Sequence, residues 1–480
     1  MRVLEHLEPR SVLHFFEDIC AIPHGSGNTK AISDYCVRFA RERGLRWYQD
    51  EMNNVVIYQD GTAGYEASAP VILQGHLDMV AEKAPDSDFD FTRDGLRLRV
   101  DGDFISADGT TLGADDGIAV AMMLAVLDDA SLAHPPLEAL FTVDEETGMY
   151  GAHALDFSLL RGRRMLNLDS EDEGVFTAGC AGGAKASFSL PLTEEAAEGV
   201  LAELRVSGLR GGHSGEEIDK GRANAAIVLG RALHALRGAG ARLVSARSGN
   251  KDNAIAPDAQ ALVALEEGSL PRAQALITAL DAALQAEYAQ CDPELRLGLT
   301  ACGQAQTALS EASAEKVTQF LLLTPNGVAE MSAAFPGLVQ TSSNLGIFRV
   351  EHGAMRAVVS VRSVFASQKE LLLARLEALA AALGAQIELS GAYPAWEYRQ
   401  DSQLRETAVR VYEAQTGKKP VVKLIHGGLE CGLFSAGLPG LDCVSFGPDL
   451  QDIHTPRERM SVSSAERTWK LLCAILRELK

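Results

Sequence analysis

The chain has 480 residues, of which 46% are hydrophobic and 23% are charged, as in ordinary soluble globular proteins. This length is more than one simple hydrophobic core covers, so two or three domains are expected. A formal net charge of −21 argues against binding to the phosphate backbone of a nucleic acid, which requires a basic surface.

The first predicted element is an amphipathic helix near the N-terminus, within MRVLEHLEPRSVLHFFEDI. This stretch lacks the basic and then apolar pattern of an export signal, and no apolar run in the sequence is long enough to cross a membrane. The eight cysteines contain no CxxC pair, which indicates reduced thiols rather than a zinc ribbon or a disulfide framework. We therefore expect a cytoplasmic protein with no membrane partner.

The first part of the chain alternates short apolar strands with helical segments. Residues 53–59, 70–75, 137–146 and 164–171 are predicted strands, and residues 115–130 form a predicted helix between two of them. Apolar strands without strict alternation, separated by helices, indicate a mostly parallel α/β sheet that is covered on both faces. In such sheets, ligands bind beyond the carboxyl ends of the strands.

The pattern changes at about residue 186. Residues 186–391 contain two successive groups of strands and helices that share a strand–strand–helix–strand order, which indicates an α+β domain with a candidate internal duplication. The remaining residues return to the helices and strands of the first domain. We predict that residues 1–185 and 392–480 form one domain and that residues 186–391 are inserted into it.

One strand ends in an unusual pair of side chains. VILQGHLDMV, residues 71–80, runs from apolar residues into His76 and Asp78. On its own this pair fits a buried structural histidine, one arm of a nucleophile triad, or a metal ligand with its orienting carboxylate. The chain has no GxSxG elbow to complete a serine-hydrolase triad and no HExxH helix to offer a single-zinc alternative.

Further acidic or histidine signatures stand at predicted strand ends or helix starts. They are GADDGIAVA (113–121), TVDEETG (142–148), NLDSED (167–172) and DIHTPRE (452–458). Taken singly, each fits a helix cap, a solvated turn or the end of a loop. Together they place two imidazoles and three carboxylates at the edge where an α/β sheet binds its ligands. These residues are His76, Asp115, Glu146, Asp169 and His454.

This set of donors points to metal chemistry. Nitrogen and carboxylate oxygen ligands without thiolates suit zinc, cobalt or manganese. If one carboxylate is shared, the five residues give each of two divalent ions three protein ligands and leave positions open for water and substrate. Asp78 would then orient His76. Of the adjacent Glu145 and Glu146, one can bind metal while the other remains free as a general base.

The motifs together resemble a known family. GHLDMV, LGADDGIAVA, DEETGMYGA, NLDSED, HGGLECGLF and GPDLQDIHTPRERM are similar to the co-catalytic di-zinc peptidases that include aminoacylases, carboxypeptidases and carnosinases. Their order and context most resemble the bacterial aminoacyl-histidine dipeptidase branch, and the resemblance covers nearly the whole chain. It implies a zinc-peptidase catalytic domain with an inserted lid domain at residues 186–391.

The resemblance also implies a role for each residue of the cluster. Two divalent ions, Zn²⁺ first and Co²⁺ or Mn²⁺ as alternatives, would share Asp115. Glu145 would be the general base. Members of the family often have a cis peptide bond after the bridging aspartate, here between Asp115 and Asp116. The remaining ligands would be His76 and Asp169 for one ion, and Glu146 and His454 for the other.

Three residues of the lid receive roles from the same resemblance. His213, in GLRGGHSGEEI, would contact the scissile carbonyl and stabilise the oxyanion, although it also fits a loop histidine beside flexible glycines. Arg362 would bind the substrate carboxylate by a bidentate pair, although as a mid-strand arginine it equally fits a solvent-facing residue. Asn253 would contact the substrate backbone. Many relatives dimerise through a shorter lid, and we expect a homodimer.

The implied function is hydrolysis of dipeptides, in particular Xaa-His dipeptides of the carnosine type, with Glu145 deprotonating a metal-activated water. Two alternatives remain open. In the first, the same site hydrolyses another substrate, and the protein is an N-acyl amino acid deacylase or a broader aminopeptidase that acts on di- and tripeptides. The other is a metal-dependent binding protein without catalysis, which the complete set of ligands and base disfavours.

Overall fold

The structure is a computed structural model, and it describes residues 2–480. The chain divides into two compact units. The first unit consists of the residues up to Gly179, Trp396–Leu424 and Leu429–Lys480, and the second consists of Cys180–Ala395 and Ile425–Gly428. Among the described residues, no helix combines the length and the apolar character that a membrane span requires.

Helices and strands occur in both units and are numbered here along the chain. The helices are α1 (Arg10–Cys20), α2 (Lys30–Glu42), α3 (Ala114–Asp128), α4 (Tyr150–Ala154), α5 (Ala225–Leu236), α6 (Leu270–Glu287), α7 (Glu311–Leu323), α8 (Ala366–Leu383), α9 (Gln403–Thr416), α10 (Cys431–Gly437) and α11 (Val462–Glu478). The strands up to residue 213 are β1 (Arg46–Gln49), β2 (Val55–Gln59), β3 (Val71–His76), β4 (Leu98–Asp101), β5 (Phe104–Ala107), β6 (Leu137–Thr142), β7 (Arg164–Asn167), β8 (Val175–Cys180), β9 (Gly182–Pro191), β10 (Glu194–Ala196), β11 (Val200–Ser207) and β12 (Gly212–His213). The later strands are β13 (Arg242–Ser248), β14 (Ala254–Ile255), β15 (Ala259–Leu265), β16 (Arg296–Gln304), β17 (Thr307–Leu309), β18 (Gly327–Met331), β19 (Val339–Glu351), β20 (Ala354–Ser363), β21 (Gln386–Tyr393), β22 (Val421–Ile425), β23 (Asp442–Ser445), β24 (Leu450–Gln451) and β25 (Arg459–Ser461).

The first unit is organised around an eight-stranded sheet with the strand order β1-β2-β6-β3-β7-β23-β8-β22. The central pairs β3–β6, β3–β7 and β7–β23 are parallel, whereas β1–β2, β2–β6 and β8–β23 are antiparallel. The predicted α/β class is therefore confirmed, with the correction that the sheet is mixed and parallel only at its centre. The short link between β1 and β2 explains part of the difference, because a parallel connection needs a dozen or more residues.

Helix α3 is a central element of this unit. Its residues from Gly117 to Leu127 are all buried, so the helix presents apolar surface in every direction rather than along one stripe. Helix α1 packs closely against it, since a methyl group at Gly117 would lie 3.4 Å from the ring of Phe16. This packing fixes the helix whose first turn carries Asp115.

The three central strands end at one edge of the sheet. His76, the last residue of β3, lies opposite Thr142, the last residue of β6, and Gln74 lies opposite Asn167, the last residue of β7. Because these strands are parallel, the segments that follow them leave the sheet on the same side. The register therefore brings the predicted site segments of all three strands to one place.

The second unit is built on a nine-stranded antiparallel sheet, with the order β16-β11-β15-β13-β19-β20-β9-β21 and with β18 paired beside β19. Two groups of four strands repeat one topology. The first group is β11, β13, β15 and β16. If these strands are numbered 1 to 4 along the chain, they lie in the sheet in the order 4-1-3-2. The second group, β9, β19, β20 and β21, has the same order when it is read from the opposite edge of the sheet. The groups meet where β13 pairs with β19. In the first group α5 precedes β13 and α6 precedes β16, and in the second α7 precedes β19 and α8 precedes β21. This repeated order agrees with the predicted duplication, but the two groups are not successive, because β9 of the second group precedes the whole first group in the chain.

Candidate metal centre and active site

His76 is a buried histidine whose free nitrogen faces carboxylates. It is 1% exposed, and its Nδ1 donates to the backbone carbonyl of Asp78 at 3.0 Å. Nε2 lies 3.2 Å from Oδ1 of Asp115 and 3.8 Å from Oδ1 of Asp169. Burial acts to lower the pKa of His76, but the neighbouring carboxylates outweigh it and hold this pKa well above its ordinary value. A nitrogen placed among carboxylate oxygens in this way requires either a proton or a metal cation.

Asp115 directs its two oxygens at two different histidines. Oδ1 faces His76, and Oδ2 lies 3.1 Å from Nε2 of His454. Burial acts to raise the pKa of Asp115, yet the two imidazoles hold it below its ordinary value. The peptide bond between Asp115 and Asp116 is cis. A carboxylate with one oxygen toward each imidazole has the arrangement that a ligand shared by two ions needs.

His454 contacts the carboxylate of Glu146 in addition to that of Asp115. It stands in the loop between β24 and β25, its side chain is 46% exposed, and its Nε2 lies 3.0 Å from Oε1 of Glu146. The hydrogen bonds to Asp115 and Glu146 raise the pKa of His454 to about 11. Ligand atoms of Asp115, Glu146 and His454 all lie within 4.8 Å of one another.

The remaining carboxylates make the cluster strongly negative. Burial, reinforced by the negative neighbours, holds the pKa of Glu145 well above its usual range and raises the pKa of Asp169 to about 7. Buried carboxylates that raise one another's pKa in this way are stabilised by divalent cations. The donors present, imidazole nitrogen and carboxylate oxygen without thiolate, therefore fit two divalent metal ions.

The carboxylate of Asp78 lies near His76, as predicted, but makes closer contacts to other groups. The closest contact of His76 Nδ1 is the Asp78 carbonyl, whereas Oδ1 of the carboxylate is 3.6 Å away. That carboxylate accepts the Ser26 hydroxyl at 2.7 Å, the backbone N–H of Glu145 at 3.0 Å and the backbone N–H of Glu146 at 3.4 Å. Asp78 thus faces His76 with both its carbonyl and its carboxylate, and the carboxylate also fixes the turn that carries both glutamates.

Asp116 belongs to this cluster of candidate ligands, although the sequence did not single it out. It is 2% exposed, and its Oδ2 accepts the backbone N–H of His76 at 3.1 Å, so it ties the start of α3 to the end of β3. Its ligand atoms also lie within 4.8 Å of those of His76 and Asp169. The second aspartate of GADDGIAVA was the available signal, but a pair of acids at a helix start is more often a cap.

A buried polar network lies beneath the ends of the three central strands. Glu430 is 0% exposed, and its Oε2 accepts hydrogen bonds from Gln74 Nε2 at 2.6 Å and from Thr142 Oγ1 at 2.7 Å. Gln74 Oε1 in turn accepts from Asn167 Nδ2 at 2.5 Å. Burial raises the pKa of Glu430 to about 8 despite the Thr142 bond. The network therefore joins β3, β6 and β7 through a carboxyl group that is neutral near pH 7.

Replacement of Glu430 by glutamine is expected to change how stability depends on pH. The unfolded carboxyl loses its proton near its ordinary pKa of about 4.5, whereas the folded one holds it to about pH 8. Glu430 therefore supports stability fully below pH 4.5, and this contribution is lost as the pH rises to about 8. Glutamine keeps the acceptor oxygen and does not titrate.

In urea unfolding of metal-free protein, the Glu430→Gln variant should gain free energy of unfolding relative to wild type between pH 5 and pH 8, by at most about 1.4 kcal/mol per pH unit. An equal difference at both pH values would contradict the prediction.

The three predicted lid residues lie together within the second unit. His213 ends β12, which pairs with β14, and Ser214 donates its backbone N–H to the carbonyl of Asn253 at 2.9 Å. A methyl group built at Gly215 would lie 3.0 Å from Cε1 of His213 and 3.5 Å from Cζ of Arg362. The fold of this unit thus brings an imidazole, a guanidinium and an asparagine backbone around one small residue.

Arg362 is held in this cluster by one neighbour. It lies on β20, is half-buried and donates from Nη1 to the Tyr393 hydroxyl at 3.0 Å. Its Nε is buried and has no hydrogen-bond partner among residues 2–480. The guanidinium is therefore positioned but not neutralised, which distinguishes it from the solvent-facing arginine that its sequence position also allowed.

Comparison with known proteins connects this geometry to a family. Residues 72–478 match the profile of peptidase family M20/M25/M40. The cytosol non-specific dipeptidase of Escherichia coli (strain K12) is 37% identical over 483 residues, which cover 100% of this chain and 99% of that protein. The crystal structure of aminoacylhistidine dipeptidase from Vibrio alginolyticus has a TM-score of 0.91 and 36% identity, covering 99% of this chain and 98% of that one.

A more distant structure shares the fold alone. An aminopeptidase from Bacillus cereus has a TM-score of 0.61 at 17% identity, covering 98% of this chain and 99% of that one. The family expected from the motifs is confirmed by the profile match and by the identity along the whole chain. The chain therefore belongs to peptidase family M20/M25/M40.

Proposed function

We propose that this protein is a metal-dependent dipeptidase and that Xaa-His dipeptides of the carnosine type are among its substrates. The observation that carries the proposal is the placement of Asp115 between His76 and His454, with Glu145 close by and outside that pair. The names of two relatives that align over nearly the whole chain, a non-specific dipeptidase and an aminoacylhistidine dipeptidase, support the substrate class.

The metal centre would be held by the residues described above. We propose Zn²⁺, with Co²⁺ or Mn²⁺ as the alternatives that the same donors suit. Bound ions would polarise the substrate carbonyl and lower the pKa of a water molecule. His76 and Asp169 would complete one ion's ligands, and Glu146 and His454 the other's, with Asp115 shared.

Glu145 is the residue that we propose as the proton carrier. Its backbone N–H is fixed by the Asp78 carboxylate at 3.0 Å, and burial raises its pKa, which suits a carboxylate that must both accept and return a proton near neutral pH. It would take a proton from the attacking water as the new C–O bond forms. It would then give that proton to the amide nitrogen as the C–N bond breaks, releasing two amino acids.

For the second unit we propose contacts to the substrate. Arg362 would bind the substrate carboxylate through two parallel N–H bonds. His213 would donate to the oxyanion that develops at the scissile carbonyl, and Asn253 would bind the substrate backbone. Assembly as a homodimer and a cytoplasmic location stay predictions.

Replacement of Arg362 by lysine is expected to raise KM for dipeptides about 10- to 100-fold, because a lysine cannot form the bidentate pair and hydrogen bonds to charged groups contribute about 1.5–3 kcal/mol. The matched control is Arg356→Lys, an exposed arginine six residues earlier on β20. Steady-state kinetics on one dipeptide measure both variants. An unchanged KM in Arg362→Lys would contradict the proposal that Arg362 binds the substrate carboxylate.

A substrate panel tests the function itself. Purified protein loaded with Zn²⁺ should hydrolyse Xaa-His and Xaa-Leu dipeptides faster than tripeptides or N-acetyl amino acids. Turnover of N-acetyl amino acids without turnover of dipeptides would identify a deacylase instead. Preference for tripeptides would identify an aminopeptidase, and absence of turnover with metal bound would favour a binding protein.

A further inference from the structure

A buried carboxylate outside the proposed ligand set holds the segment that carries Asp115. Glu458 is 3% exposed and lies four residues after His454. Its two oxygens accept backbone N–H groups from four consecutive residues, so that all four of its lone-pair positions are used on backbone. The donors are Leu112 at 2.7 Å and Gly113 at 3.0 Å to Oε2, and Ala114 at 2.8 Å and Asp115 at 3.4 Å to Oε1.

This carboxylate holds the irregular start of α3. Asp115 and Asp116 have non-helical φ and ψ angles, so the backbone N–H groups at this start need partners outside the regular helix, and Gly113 has no side chain to supply one. Four α-helices of the described chain are capped by their own N-cap side chains, whereas the N–H groups at the start of α3 are held by a residue 343 to 346 positions away. The locally capped helices are α5 (Asn224), α7 (Ser310), α9 (Ser402) and α11 (Ser461).

The same residue ends the hydrogen-bonded loop that presents His454. The backbone N–H of Glu458 donates to the Thr455 carbonyl at 3.0 Å, and the Thr455 hydroxyl donates to the Asp452 carbonyl at 2.8 Å. Asp452 and His454 both have positive φ angles, 53° and 59°, which are uncommon for residues with a side chain although Asp and His adopt them more often than most. Glu458 therefore joins this loop to the first turn of α3.

We propose that Glu458 is a positioning residue that fixes Asp115 relative to His454 and so sets the affinity of the metal centre for its second ion. The proposal rests on the proposed metal centre. Oδ2 of Asp115 lies 3.1 Å from Nε2 of His454, and each of these side chains belongs to a segment that Glu458 holds. Because metal ligands must keep their distances within about 0.2 Å, loss of the shared anchor weakens binding although Glu458 itself contacts no ion.

Titration with Zn²⁺ against a competing chromophoric chelator tests the proposal on wild type and Glu458→Gln. Glutamine keeps one acceptor oxygen but turns an NH₂ group toward backbone N–H groups. The second equivalent of Zn²⁺ should bind the variant about 10- to 100-fold more weakly, and the first equivalent should change less. Wild type should bind two equivalents. If wild type binds fewer than two equivalents, the proposed two-ion centre is contradicted, which is distinguishable from a failure of the proposal for Glu458.

A matched variant separates positioning from general stability. Glu138 on β6 is also buried and accepts backbone N–H groups, those of Arg161 and Gly162, at 2.9–3.0 Å. Glu138→Gln should lower the Tm of the metal-free protein and leave both Zn²⁺ affinities unchanged. Wild-type affinity in Glu458→Gln, or an equal weakening in Glu138→Gln, overturns the proposal.

Should Glu458→Gln fail to fold, Glu458→Asp replaces it, since the shorter side chain cannot span the same four groups. At least tenfold weaker binding is then expected, and unchanged affinity overturns the proposal.

Discussion

Replacement of Glu145 by glutamine is expected to lower kcat by about 10³-fold while two metal ions stay bound. General base catalysis contributes about 10²- to 10⁴-fold, and glutamine cannot accept a proton from water. The change is nearly isosteric and leaves the backbone N–H of residue 145 in place to donate to Asp78. Steady-state kinetics with elemental analysis of the same sample measure both quantities.

The adjacent aspartate provides the control for this experiment. Asp144 precedes Glu145, and its carboxylate accepts the backbone N–H of Gly27 at 2.6 Å rather than facing the ligand cluster. Asn tolerates the positive φ of 55° at this position, so Asp144→Asn removes the same charge with little strain. Its kcat should stay within a few-fold of wild type. Full turnover in Glu145→Gln with metal bound would show that another group moves the proton.

The clustering of the candidate ligands could be predicted from the sequence where these residues follow strand ends. His76, Glu146 and Asp169 each stand at or just after a central strand, and parallel strands bring their carboxyl ends to one edge. His454 has no such strand to place it, yet its Nε2 lies 3.0 Å from Oε1 of Glu146. The sequence analysis grouped it with the others as a histidine motif at a predicted strand end or helix start, whereas in the structure it stands in the loop between β24 and β25.

The parts that could not be predicted depend on contacts between distant segments. The carboxylate of Asp78 bonds to a turn after another strand, and Glu458 bonds to a helix start more than 300 residues earlier in the chain. Neither partner is visible in the pattern around the residue itself. A short motif therefore indicates which chemical group is present, but not which of its atoms is used.

Helix α7 was not predicted although its signal was present. Helix α7, Glu311–Leu323, begins after Ser310, whose side chain accepts the backbone N–H of Ser313. Its buried residues recur at helical spacing, at positions 313, 317, 318, 320 and 321. The second unit also includes Ile425–Gly428, which no change in the sequence pattern indicated. Local periodicity thus identifies elements, whereas their assignment to a unit is decided by tertiary packing.

The second large effect is expected for Asp115→Asn, which should retain one tightly bound Zn²⁺ instead of two. Its two oxygens face His76 and His454 separately, and asparagine keeps an oxygen for only one of these directions. The amide NH₂ on the other side cannot bind a cation. Elemental analysis and Zn²⁺ titration measure the stoichiometry.

Activity should fall together with the metal content in this variant. Loss of one ion removes several kcal/mol of stabilisation of the transition state, which corresponds to a fall in kcat of about 10³-fold or more. Asp128→Asn, at the exposed end of the same helix, where the carboxylate pairs with Arg43, is the matched control and should bind two ions with wild-type kcat. Two tightly bound ions in Asp115→Asn would mean that the carboxylate is not shared. The neighbouring Asp116, whose ligand atoms lie near those of His76 and Asp169, would then be the residue to replace next.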